Sequence, residues 1–220
     1  MITVHHLADS RSQRVLWLLE EMGRPYEVKR YERNPATMLA PPELKAIHPL
    51  GKSPVVDDGA VRVAETGAIV EYLLEGPNGA GLRPATGTEA GRRYTYWLHY
   101  AEGSAMTPLL LKLIFGQLPK RSPGLVRPLV KAISGKAQDS FIDPQIASHT
   151  AYWEAELGKS EWFAGDDFSA ADIMMSFPIE AGASRAPYAD KPRLTAFLKK
   201  IHARPAYQRA LERGGPYSYA

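Results

Sequence analysis

The chain has 220 residues, with 45% hydrophobic and 23% charged side chains, enough for two small domains and at odds with disorder or a fibrous repeat. It contains no cysteine, which excludes disulfide frameworks, Cys-based zinc sites, a Cys-x-x-Cys redox motif and a cysteine nucleophile, so any thiol chemistry must come from a ligand. The 27 Lys and Arg against 24 Asp and Glu leave a scattered net charge of +3, a weak footprint for nucleic acid, and no apolar run reaches the roughly 18 residues of a membrane span.

The first six residues carry neither a basic leader nor a long apolar core, so a soluble cytoplasmic protein, with neither membrane nor nucleic acid as partner, is expected. Ile2-Thr3-Val4 alternates as a short strand does. Residues 9–12 then lead into a helix in which Val15, Leu18, Leu19 and Met22 share a face, with Gly23 and Pro25 as stop signals. Tyr26-Glu27-Val28 reads as a second strand, which gives residues 1–31 the length of a βαβ unit with parallel pairing.

Residues 41–48 are helical at most briefly. Residues 51–56 begin another strand, Asp57-Asp58-Gly59 offers hairpin turn chemistry, and Val61-Arg62-Val63 returns antiparallel. Thr66 is placed to cap the helix that carries Ile69, Tyr72 and Leu73. The order βαβ, connector, ββα is that of a thioredoxin-like domain. Turn formers crowd residues 76–81 and 84–88, and no strand alternation follows them. The expected organisation is therefore a thioredoxin-like N-terminal domain at 1–78, a linker at 79–88 and an all-helical C-terminal domain at 89–220.

Thr86 and Glu89 stand in capping-box spacing at the start of the second unit. Trp97, Tyr100, Met106, Leu110 and Leu113 can line a long helix that Pro108 should bend. Further helices are expected around Ile146, Trp153 and Leu157, over residues 170–179, and around Leu194, Phe197, Leu198 and Ile201. The sharpest capping signal is Phe168-Ser169-Ala170-Ala171-Asp172-Ile173, in which Ser169 and Asp172 form the box and Phe168 and Ile173 the hydrophobic staple.

Several residues have the chemistry of a ligand site. Ser10 and Ser12 lie at the start of the first helix, where free amides and the helix dipole favour an anion, although a hydroxyl there also serves as a cap. Arg11 and Arg14 add positive potential. Ser53-Pro54 precedes a buried-looking strand, and a cis bond there would turn the Ser53 main chain outward to pair with a peptide. Glu65 can take an ammonium and Thr66 a carboxylate, which together suit the α-amino acid end of a ligand; Lys52 suits a second carboxylate. Tyr100 and Met106 belong to an aromatic-rich helix that can line a pocket or simply pack. The six histidines show no His-Glu-x-x-His, and no metal is expected.

Taken in order, Ser10-Arg11-Ser12-Gln13-Arg14 running into Leu16-Trp17-Leu18-Leu19-Glu20-Glu21, His48-Pro49-Leu50-Gly51-Lys52-Ser53-Pro54-Val55-Val56, Glu65-Thr66, the box at 168–173 and Arg204-Pro205-Ala206 resemble the cytosolic glutathione transferase family over the whole chain. The resemblance implies a homodimer that binds glutathione and a small hydrophobic electrophile. Ser53 with cis Pro54 would hold the cysteinyl backbone, Glu65 and Thr66 the γ-glutamyl end, and Lys52 the glycine carboxylate. Ser10 falls where the serine-type, theta- and delta-like classes keep the hydroxyl that meets the thiolate, with Ser12 as a second hydroxyl close by. Tyr100 and Met106 would border the electrophile, and Arg204-Pro205-Ala206 would close a late helix. His48 departs from the asparagine commoner at its position. The same thiolate would also serve a peroxidase or disulfide reductase, and the same fold a non-catalytic binding module.

Overall fold

The computed structural model describes residues 1–185 and 188–219. Strand β1 (Ile2–Leu7) is followed by helix α1 (Ser12–Glu21) and strand β2 (Tyr26–Tyr31), which lies parallel to β1 with Ile2 opposite Tyr26 and Leu7 opposite Tyr31. After the short α2 (Glu43–Ile47) come β3 (Val55–Asp58), β4 (Val61–Ala64) and α3 (Thr66–Leu74). The sheet order is β2-β1-β3-β4, with β3 antiparallel to both neighbours. This is the βαβ and ββα arrangement expected from the sequence.

Two boundaries in this half differ from expectation. Asp57 and Asp58 are strand, and the hairpin turns on Gly59-Ala60, with Gly59 at φ +61°. Cross-strand pairing holds Asp57 in place: Arg62 stands opposite it and donates from Nε to its carboxylate at 2.6 Å. Thr66 is the first residue of α3, and Glu65 takes the cap position at φ 72°; such a φ is uncommon outside glycine and is often found where a loop is held for function.

A single 3₁₀ turn (Ala80–Leu82) precedes the helices. Thr88, two residues beyond the expected cap, accepts from the Gly91 amide at 3.0 Å and opens α4 (Glu89–Gly103). The expected long helix is broken at Ser104-Ala105, and Pro108 falls in the first turn of α5 (Met106–Arg121). An amide missing there costs no helical hydrogen bond, so the chain breaks ahead of the proline and does not bend at it. Helix α6 (Arg127–Ala137) runs through a π turn (Gln138–Ile142) into α7 (Asp143–Glu156), followed by α8 (Ala170–Ala183), α9 (Pro192–His202) and α10 (Pro205–Gly214). Arg204 caps α10 and Pro205 is its first residue, so the motif follows directly on α9, at the close of a late helix as expected, and also opens a further one.

Helix α1 sits at the centre. Its residues from Ser12 to Leu19 are all buried, and it packs on β1 and α3 on one side and on α8 and α10 on the other. One continuous apolar cluster therefore runs from Val4 and Val15 through Trp17 and Ile69 to Trp97, Phe163, Ile173 and Ala210. The capping box at the start of α8 is formed, and Asp172 is completely buried.

Candidate functional site

Between Leu7 and Ser12 the chain turns from sheet to helix, with Asp9 at φ 50°. The turn sets Ser10 and Ser12, 6% and 0% exposed, at the amide-rich end of α1. The Ser12 amide donates to Ser10 Oγ at 3.2 Å, and the two hydroxyl oxygens lie 2.7 Å apart. Ser12 Oγ also lies 2.8 Å from Nδ1 of His6, a β1 residue that is 2% exposed. Sequence reasoning weighed His6 only as a metal ligand. Period-two alternation along β1 was the available signal, since it turns His5 towards Tyr31 and Asp57 and His6 towards α1.

The His6 ring is an isolated base in a tight place. Burial and the charge of Arg30 pull its pKa down to about 4, against the opposing influence of the Gly214 carbonyl and of Asp9. The unfolded chain takes up this proton near pH 6.5, whereas the native protein resists it until near pH 4. The native state therefore loses stability as pH falls through this window, by roughly 3 kcal/mol, the free-energy equivalent of a shift of about two and a half units. A His6→Gln variant should lack that component. Denaturant unfolding at pH 7 and pH 4.5 decides: an equal acid loss in both proteins would exclude His6 as its source.

Arginine supplies the positive field. Arg14 is wholly buried; it donates to the Met174 carbonyl at 2.7 Å and to Glu102 of α4, and its guanidinium lies 5.4 Å from the centre of the Phe177 ring. Arg11 approaches the other Glu102 oxygen at 2.6 Å, close enough for an ion pair but poorly aligned for a hydrogen bond. Burial works to raise the Glu102 carboxyl, but Arg14 and Arg11 outweigh it and hold the group below its ordinary pKa. Burial lowers the Arg11 pKa, while Glu102 and, more weakly, Glu65 oppose it. Glu102 was not anticipated: its role needs α4 folded against α1, which no local pattern reports.

The Ser53-Pro54 bond is cis. Ser53 Oγ donates to the His5 carbonyl at 2.8 Å and accepts from the Leu7 amide at 3.1 Å, taking the place of main-chain rungs beyond the β1–β3 pairing. Among the described residues, the Ser53 amide and carbonyl make no hydrogen bond of their own. Lys52 and Glu65 are exposed and Thr66 is buried at the first turn of α3.

Tyr100 and Met106 lie close to the α4–α5 junction, largely covered within the apolar cluster. The Tyr100 hydroxyl accepts from Trp153 Nε1 at 3.0 Å and meets His149 Nδ1. Beside Ser10 the chain end folds back: the Ser218 amide and hydroxyl donate to Asp9 at 2.7 and 2.9 Å, and the Tyr217 hydroxyl donates to the buried Glu180 at 2.6 Å.

This assembly can hold an anion against a helix start and two hydroxyls. It is no hydrolase dyad, because Ser12 has no exposed surface and no carboxylate orients the His6 ring among the described residues. The described residues contain no cluster of His, Asp and Glu able to hold a metal ion.

Residues 1–75 match the family model described as the glutathione S-transferase N-terminal domain, and residues 127–213 match one for a glutathione S-transferase C-terminal domain. Glutathione S-transferase 3 of Schizosaccharomyces pombe is 33% identical over 216 residues, covering 97% of this chain and 88% of that one. Glutathione S-transferase 1 of Saccharomyces cerevisiae is 31% identical, with 97% and 95% covered. Among solved structures, a glutathione S-transferase from Actinobacillus pleuropneumoniae shares 35% identity at a TM-score of 0.75, with 97% and 93% covered.

Proposed function

Because this chain belongs to the glutathione S-transferase family, we propose that it is a serine-type, theta- and delta-like enzyme that activates glutathione as a thiolate for attack on a hydrophobic electrophile. The observation that carries this reading is the Ser53 corner. Its hydroxyl is spent on β1, so its main-chain amide and carbonyl are free for a cysteinyl backbone beside the strand that leads to Ser10. Glu65 and Thr66 take the γ-glutamyl end and Lys52 the glycine carboxylate. Ser10, less buried than Ser12, is the hydroxyl that meets sulfur. The α4–α5 junction, with Tyr100 and Met106 as an apolar floor, borders the electrophile. We extend the reading to a cytoplasmic homodimer serving detoxification, with residues 79–88 as the linker between its two domains.

A free thiol with a pKa near 8.5 is only a few per cent thiolate at neutral pH. The hydroxyl, the α1 amides and Arg11 favour the charged form, and a shift of two units asks for about 2.7 kcal/mol. One charge-assisted hydrogen bond and a helix-end field supply that amount. The test is the ultraviolet thiolate absorbance of glutathione titrated with excess protein. A midpoint well below that of free glutathione is expected, and an unshifted one would favour a non-catalytic module. Turnover of an aryl halide against a peroxide then separates conjugation from reduction. Lys52→Ala should weaken glutathione binding several-fold by calorimetry, as loss of an exposed ion pair worth about 1 kcal/mol would; unchanged affinity would remove Lys52 from the site.

A further inference from the structure

The row of polar groups behind Ser10 has a direction. It consists of Ser10 Oγ, Ser12 Oγ at 2.7 Å and His6 Nδ1 at a further 2.8 Å. A neutral imidazole carries one N–H and one lone pair. The Gly214 carbonyl of α10 favours the protonated ring, as an acceptor close to an N–H does; with Nδ1 turned to Ser12, we assign the ring proton to Nε2 and the lone pair to Nδ1. Ser12 then donates to Nδ1, and its oxygen is left to accept the Ser10 proton. With the Ser12 amide also donating to Ser10 Oγ, both hydroxyl protons point inward. At rest, Ser10 shows the outside a lone pair, which suits a thiol S–H and not a thiolate.

We propose that His6 is the positioning residue of the site: acting through Ser12, it sets which way the Ser10 hydroxyl points and receives the proton that the thiol gives up. This rests on the reading of Ser10 as the hydroxyl that meets sulfur. As the S–H bond breaks, its proton passes to Ser10 Oγ, the Ser10 proton passes to Ser12 Oγ, and the Ser12 proton forms a new bond to Nδ1. The sulfur keeps the electron pair. Every hydrogen bond in the row is then reversed, so that Nδ1–H donates to Ser12, Ser12 to Ser10, and Ser10 to the thiolate. Once the thioether has formed, the ring returns its proton through the same two hydroxyls to water at the open side of the site.

The groups around the ring suit an acceptor that is filled only on demand. Arg30 on β2 and burial keep it neutral while no anion faces it, whereas Asp9 in the turn and the Gly214 carbonyl on α10 favour the charged ring. A thiolate at the end of the row adds the missing negative charge. Ser12 has one weaker alternative, the Leu7 carbonyl at 3.4 Å, so removing His6 leaves the row disordered but not empty.

Nitrogen-15 NMR of histidine-labelled protein tests the proposal directly. Without ligand, His6 should show one protonated nitrogen, Nε2. With glutathione His6 should take up its second proton at a higher pH than in the free protein, and with S-methylglutathione, which has no thiol proton, its titration should stay as it was. In parallel, Ser12→Ala and His6→Gln should raise the thiolate midpoint of bound glutathione by about one unit, a tenfold loss of thiolate, with Kd for glutathione within about twofold of wild type. An unchanged ring titration with glutathione, or an unshifted midpoint in Ser12→Ala, overturns the role of His6. If neither the wild type nor Ser10→Ala alters the midpoint of glutathione, the reading of Ser10 has failed instead. The wild-type NMR comparison and Ser12→Ala keep the test complete even if His6→Gln does not fold.

Discussion

In a Ser10→Ala variant, bound glutathione should titrate about one to two units higher than in the wild type, with little change in its Kd. A hydrogen bond to a charged group contributes about 1.5–3 kcal/mol, and each unit corresponds to about 1.4 kcal/mol. On the proposed reading the affinity is spared, because the hydroxyl addresses the sulfur and the anchoring ends are held elsewhere. The rate effect has a sign that depends on pH. Below both midpoints the variant holds roughly 10- to 100-fold less thiolate, but a thiolate of higher pKa is intrinsically more nucleophilic, with a Brønsted slope near 0.5. Net of both effects, kcat/KM should fall by about three- to tenfold below both midpoints and should exceed that of the wild type near pH 9, where both proteins hold mostly thiolate. A loss that is the same at every pH would mean that Ser10 acts on something other than thiol ionisation. Should Ser12→Ala produce the larger midpoint shift, the two serines have been assigned in the wrong order.

The largest effect on stability should come from Asp172→Ala. This carboxylate has no exposed surface and accepts from the Phe163 amide at 2.8 Å, the Ser169 amide at 2.9 Å and the Ser169 hydroxyl at 3.1 Å. Truncation leaves two buried amides without an acceptor and frays the start of α8, whose residues are buried almost throughout. The expected cost is about 3–5 kcal/mol, or roughly 10 °C in Tm for a chain of this size. Ser169→Ala removes only the cap hydroxyl and should cost about 1 kcal/mol. If thermal unfolding ranks the two variants the other way, the box is not what holds this helix start. Burial pushes the Asp172 carboxyl up to about 6 despite these hydrogen bonds. Its titration therefore favours the native state below the unfolded value near 3.8 and loses that advantage as pH rises through 6, opposite in sign to His6.

What the sequence disclosed follows from how local each signal is. The βαβ unit, the hairpin and the α8 box rest on alternation, turn residues and caps within a few positions, and they were legible to within about two residues. Asp57 shows the limit: its turn chemistry is real, but a cross-strand arginine outweighs it and keeps it in the strand. Thr66 and Thr86 were displaced as caps because Glu65 and Thr88 hold those positions in three dimensions. The serine turn and the Ser53-Pro54 corner were visible as motifs. His6 was visible as a residue but not as a partner, since its contact with Ser12 exists only once β1 and α1 pack. Glu102, the buried Glu180 and the returning chain end lie further still from any local pattern.

The placing of α1 reaches beyond the chemistry at its first turn. Two family descriptions divide this chain into an N-terminal and a C-terminal piece, yet α1 is clasped by the first piece on one side and by α8 and α10 on the other. The unit of descent is thus not the unit of cooperativity. Cut between the two matched segments, either fragment would bare an apolar wall that the other covers, and the melting of one half should carry the other with it. The rigidity on which a reacting sulfur would depend is lent to Ser10 by residues some 160 to 200 positions further along.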